Sequence, residues 1–167
     1  CGSGIIDTVA QLFLDQKVDK KGRIKDGVFS LTEKIFINES DIENVIRTKA
    51  AIFAGCCVLL DAVSLDFNDL EKVYIAGGFG NYLDIRNAQV IGLLPPIPYE
   101  KFKLLGNASL SGAKSCLLSK VERQKAEDIA HSMTYIDLSS SNSFFDQYSS
   151  ALFLPHTNEE RFYTAGK

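Results

Sequence analysis

Histidine is nearly missing from this sequence, and cysteine is sparse. His131 and His156 stand alone, and Cys1, Cys56, Cys57 and Cys116 show neither a C-x-x-C spacing nor an accompanying histidine pair. That excludes the common zinc and cluster patterns and the disulfide-stapled secreted class. Neither histidine has a neighbourhood that marks it as a ligand or a base. Cys56 and Cys57 fall within an apolar helical stretch, where a free thiol packs as a small hydrophobe. No apolar run reaches the roughly 18 to 20 residues needed to span a bilayer, and no basic-then-apolar leader is visible. The expected setting is cytoplasmic, away from membrane. The net charge of −3 is spread among scattered Lys and Arg, so nucleic acid is not an expected partner.

What is present suits a packed α/β unit. The 167 residues are 46% hydrophobic and 23% charged, enough for one sizeable core in one domain or part of one. The opening Cys1-Gly2-Ser3-Gly4 has no Met and runs straight into Ile5, Ile6, Val9, Leu12 and Phe13, which reads as a piece of a longer polypeptide beginning in a glycine turn. A helix is predicted over residues 3 to 17 with Ser3 as its cap, and one or two short strands over residues 28 to 37. Ser40-Asp41-Ile42-Glu43 fits a capping box ahead of a helix reaching about residue 63. That helix carries a wide apolar stripe, and Lys49 within it reads as part of a solvated face, with a reach to a phosphate or to a partner as the alternative.

Further strands are predicted at 73–76, 101–105 and 134–138, with helices at about 84–92, from Asn107 onward, at 121–132, and up to Leu152. Ser139 to Ser143 read as a short linker or helix start. The expected division is residues 1–154 as the folded part and 155–167 as a loosely held tail. Alternating helices and strands with short connections imply helices layered on a largely parallel sheet, which binds ligands at the carboxyl ends of its strands.

One such end is VYIAGGFGNYLD, where a strand runs into Gly77, Gly78 and Gly80. Glycines there permit a sharp turn, bare N–H groups and contact between main chain and a flat or anionic ligand, with a nucleotide the obvious candidate. A tight turn without ligand produces the same pattern. The spacing is neither Gly-x-Gly-x-x-Gly nor a phosphate loop with Lys-Ser/Thr. Asp84 suits a helix cap as well as a ribose or a metal. The small-residue run Gly106 to Ala113 allows close approach of another helix or of a bound base, and two such sites after two strands suggest one shared cleft.

VYIAGGFGNYLD, followed by IGLLP and LLGNASLSGAK, resembles the carboxyl-terminal part of the reductive activators of corrinoid-dependent methyltransferases, iron–sulfur ATPases that rescue inactive cobalamin. CGSGIIDTVAQLFLDQ, DIENVIRTKAAIFAG and the closing YIDLS and ALFLPHTN are similar to that family too, the last especially to members serving methylamine and demethylation systems. The resemblance implies part of an actin-like, ribonuclease H-like ATPase fold whose two lobes close over ATP. It places Gly77, Gly78, Phe79 and Gly80 in the adenosine loop, with Asn81 and Asn107 as further contacts and Gly2 and Gly4 in another glycine turn near the cleft. ATP and Mg²⁺ would be shared with a missing lobe, and the iron–sulfur cluster would belong to the parent protein only. No catalytic residue is assigned, because the phosphate loops would lie upstream. The implied partner is a corrinoid protein or corrinoid-dependent methyltransferase, with a homodimer as a further expectation. A docking or dimerisation module and a small-molecule kinase of the same fold are the alternatives.

Overall fold

Ile6, Val9, Ala10 and Leu12 recur at helical spacing, and they are the buried face of α1 (Gly2–Leu14). The computed structural model describes residues 2–25, 27–78, 80–138 and 141–163, with the side chains of all but 81, 142 and 163. Cys1 and the tail's 164–167 lie outside the described residues, as do Ser139 and Ser140 of the expected linker. The glycine turn expected at Gly2 and Gly4 is the first turn of α1, and Ser3 is a buried helical residue rather than a cap.

β1 (Val28–Ser30) and β2 (Phe36–Asn38) form an antiparallel hairpin in the register Val28↔Asn38, Phe29↔Ile37 and Ser30↔Phe36. Its last residue caps α2 (Glu39–Asp61). The capping box sits two residues before the expected Ser40–Glu43 pair. Asn38 Oδ1 accepts from the Asp41 amide at 3.0 Å, and Asp41 Oδ2 accepts from the Asn38 amide at 3.0 Å. Asn and Asp reach these orphan donors from short side chains, so the helix starts as soon as the strand ends.

α2 is the spine. Ile42 and Ile46 join the main core with Val9, Leu12, Ala88, Ile91 and Leu154, while Ala50, Phe53 and Cys57 form a second cluster with Ala151. Each fully buried aliphatic or aromatic side chain contributes roughly 1.5–3 kcal/mol of transfer free energy. α6 (Asn142–Ser150) lies along α2 and closes the second cluster with Tyr148.

β3 (Val73–Ala76) and β4 (Phe102–Gly106) pair in parallel, Val73↔Phe102 through Ala76↔Gly106, with a shift between Ile75 and Ala76. Between them come α3 (Ile85–Val90) and the proline-broken segment, where Ile85, Ile97 and Phe102 make a third cluster. α4 (Ala108–Leu118) and α5 (Lys120–Ser132) form a hairpin about Ser119, which ends one helix through its amide to Ser115 O and caps the next by accepting from the Glu122 amide. Neither helix holds a buried residue, and Leu110, Leu117, Val121 and Ile129 are exposed.

The strand expected at 134–138 is not formed: residues 134–137 run in an irregular path with Tyr135 exposed. Alternation alone makes no strand without a neighbour to complete its ladder, and the described residues offer none there. The segment expected to be loose from residue 155 is tied down at its start. Leu154 and His156 are buried, Leu154 N donates to Lys20 O at 2.8 Å, and α7 (Glu160–Tyr163) follows. The chain is thus mixed α/β, with helices about a small parallel sheet, and no described helix is long and apolar enough to cross a membrane.

Candidate functional site

The two parallel strands deliver two glycine turns to one edge. β3 ends at Gly77, whose φ of +103° an L side chain rarely adopts, and β4 ends at Gly106 with φ +65°. Gly77 N donates to Gly106 O at 2.7 Å, so the turns are locked to each other. The two segments whose spacing suggested one shared cleft meet edge to edge at this bond.

A Cβ added at Gly77 or at Gly78 would meet no atom within 4 Å. Both positions face open space among the described residues: the left-handed φ accounts for glycine at Gly77, whereas neither packing nor φ accounts for it at Gly78. Gly80 has a different cause. Its Cβ would stand 2.7 Å from Ile75 Cγ2, so its glycine lets the 3₁₀ turn Gly80–Tyr82 fold back over β3. Phe79 lies outside the described residues, as does the Asn81 side chain. Tyr82 is 77% exposed beside this loop.

On the other side Asn107 caps α4, its Oδ1 accepting from the Leu110 amide at 3.0 Å. A Cβ on Gly112 would also meet open space, so close packing within the described residues does not account for that small-residue run. The start of α4 lies next to the Gly77–Gly106 junction with its Leu110 amide capped by Asn107, and helix N-termini favour anionic groups. Gly106, expected only as the start of a small-residue run that lets a helix or a base come close, is the residue that joins the two turns. Its signal lies in its place, a glycine directly after a strand and directly before a capping Asn.

Asp84 accepts from the Asn87 amide at 3.0 Å and is the cap of α3, which engages it as a structural residue. Asn87 Nδ2 donates to Asp7 Oδ1 at 2.8 Å and ties α3 to α1. Gly2 and Gly4 lie at the start of α1, with Gly4 O accepting from Thr8 Oγ1 at 2.8 Å. They belong to the helix, and α3 is what links that helix to the loop.

Lys49 departs most from expectation. It is 1% exposed, with Nζ donating to Phe153 O at 2.5 Å and Pro155 O at 2.6 Å. Burial pulls its ammonium down to about 7. His156 is buried between Phe53 and Phe162, and burial, with the charges of Arg161 and Lys49, lowers its pKa to about 4. Its Nδ1 accepts from the Asn158 amide at 2.9 Å, which fixes a neutral ring. Burial pushes the Cys57 thiol up to about 11 and leaves it inert. Among the described residues no three His, Cys, Asp or Glu side chains gather as a metal site. Open space over main chain without side chains at the sheet edge can seat a flat ligand, while the described residues of the loop bring no nucleophile or base into that space.

Comparison with known proteins gives a consistent picture. The family described as the C-terminal domain of RACo, the ASKHA domain, matches residues 1–165. The corrinoid activation enzyme RamQ of Eubacterium limosum is 35% identical over 89% of this chain and 30% of its own length. The Co(II) methylated amine-specific corrinoid protein reductase of Methanosarcina barkeri is 28% identical over 88% of this chain and 27% of its own. The solved structure of a reductive activator for corrinoid, iron-sulfur protein superposes with TM-score 0.88 at 40% identity, covering 98% of this chain and 30% of that one. The chain thus spans under a third of each of these relatives.

Proposed function

From the membership of this chain in the RACo C-terminal family, whose ASKHA domain is actin-like, we propose that it is the nucleotide-binding part of an ATP-dependent activator that returns inactive cobalt(II) corrinoid to cobalt(I). The observation that carries the reading is the pair of locked turns, where Gly77 and Gly78 keep space clear that no packing demand requires.

In this reading Gly77, Gly78 and Phe79 approach the base and ribose, Asn81 lies beside them, and Asn107 holds the start of α4 in place opposite. Gly80 serves by folding the loop back over Ile75. Mg²⁺ and the phosphates are held by the remainder of the parent protein, since this loop supplies no carboxylate set. The iron–sulfur cluster also belongs elsewhere: Cys56 and Cys57 are adjacent on α2, Cys116 stands alone on α4, and no described cluster of ligands fits it. The residues here bind and orient. ATP biases the activator only through conformations that hold nucleotide with different affinity, so a turn that closes around adenosine couples the nucleotide to lobe position. The partner is a corrinoid protein, as the names of the relatives suggest.

A second reading, a docking module for that partner, has the exposed apolar side chains of α4 and α5 in its favour. One experiment separates the two. Gly78→Val puts branched carbons into open space, so the chain keeps its fold while the ligand loses its seat. In the full-length protein it should abolish ATP binding by calorimetry and leave capture of the corrinoid protein intact. Unchanged ATP affinity defeats the nucleotide reading.

A further inference from the structure

A buried lysine with no carboxylate is costly, and its retention calls for a use. Among the described residues no acid pairs with Lys49. Its partners are main-chain carbonyls of Phe153 and Pro155. The same turn abuts the end of α3. Gly92, with φ +77°, closes that helix through its amide to Gln89 O. A Cβ on Gly92 would collide with Pro155 O and stand 3.2 Å from Lys49 Nζ. Three segments therefore meet at one ammonium: α2, the end of α3 and the turn at 153–157. Leu154, beside them, is fully buried in the same core as Leu83, Ala88 and Ile91. At its other end α3 starts three residues after the end of the Gly80–Tyr82 turn.

We propose that Lys49 is a positioning residue for the nucleotide turn: by holding the carbonyls of Phe153 and Pro155 it fixes the 153–157 turn against the end of α3, and through α3 sets the Gly77–Tyr82 loop. This rests on the nucleotide reading above for its functional consequence and on the packing alone for its mechanical part. The titratable group facing the ammonium is His156 on the same turn, which Arg161 on α7 also faces, with Lys20 and Glu159 paired at the turn's outer side. A charged ammonium makes charge-assisted bonds to carbonyls, which are stronger than those of the neutral amine.

The test uses the full-length activator with Lys49→Met, which keeps volume and removes the donors, and Thr157→Val, which loosens the same turn from the solvent side by deleting the bond from Thr157 Oγ1 to Ser150 O at 2.6 Å. Amide hydrogen exchange without nucleotide should rise at residues 153–157 and also at 77–92, while the hairpin at 28–38 stays as in wild type. Affinity for Mg-ATP should fall about fivefold or more in Lys49→Met. Wild-type affinity should weaken as pH rises through about 7, beyond the change that Lys49→Met shows from titration of ATP itself. Exchange that rises at 153–157 alone in both variants, or everywhere equally in both, overturns the proposal. If the wild type binds no Mg-ATP, the nucleotide reading falls while the exchange experiment still decides the coupling.

Discussion

His156 illustrates how a single side chain ties stability to pH. Its folded-state pKa lies near 4, below the ordinary 6.5, because burial and two nearby cations oppose a proton there. Between those values the unfolded chain takes up a proton that the folded chain refuses, so stability is complete above about 6.5 and declines as pH falls toward 4. His156→Phe should remove that part of the slope. Thermal melts from pH 7 to pH 4.5 should bring wild type and variant together, or reverse their order, by on the order of 1–2 kcal/mol. A wild-type minus variant difference that stays constant across the range contradicts the assignment. Lys49 shows why residues of this kind escape a sequence reading. A lysine in an apolar helical stripe looks solvated because its acceptors are carbonyls 104 and 106 positions along the chain. The glycines read more easily, since Gly77 and Gly78 directly follow an apolar strand, although only the structure separates the turn's need for glycine at Gly77 from the open space at Gly78.

At the level of elements, caps set the boundaries. Asn107 is the one link between β4 and the start of α4, and its Oδ1 satisfies the Leu110 amide. Asn107→Ala should cost about 1 kcal/mol in chemical denaturation. It should also weaken ATP binding in the full-length protein, because the helix start frays beside the Gly77–Gly106 junction. A variant that loses stability with ATP affinity intact would leave Asn107 a cap and nothing more. Most helices were legible from apolar spacing and capping residues, including α3 behind Asp84 and α4 behind Asn107. One boundary drifted because Ser40-Asp41-Ile42-Glu43 matches a capping box, whereas Asn38, which ends the strand, makes the cap two residues earlier. The strand expected at 134–138 failed for another reason: alternation describes one strand, whereas a ladder needs two.

Across the whole molecule, the α/β class and the parallel pairing of β3 with β4 follow from the order of elements, but the division of the interior into three clusters joined by α2 does not, because it depends on contacts between distant segments. The α4–α5 hairpin and both faces of the small sheet leave Tyr74, Leu104, Leu110 and Leu117 in solvent. Parallel sheets are ordinarily covered on both faces, and two strands alone are marginal. On the proposed reading, the 167-residue chain by itself should give no micromolar ATP binding in calorimetry, whereas the full-length protein should. Micromolar affinity in the short chain would mean that one side of the cleft suffices. The bond from Gly77 to Gly106 carries one more consequence, for heredity. Two positions joined only through main-chain atoms can change without breaking their bond: what holds each to glycine is its own left-handed φ, so a change at one should need no compensating change at the other.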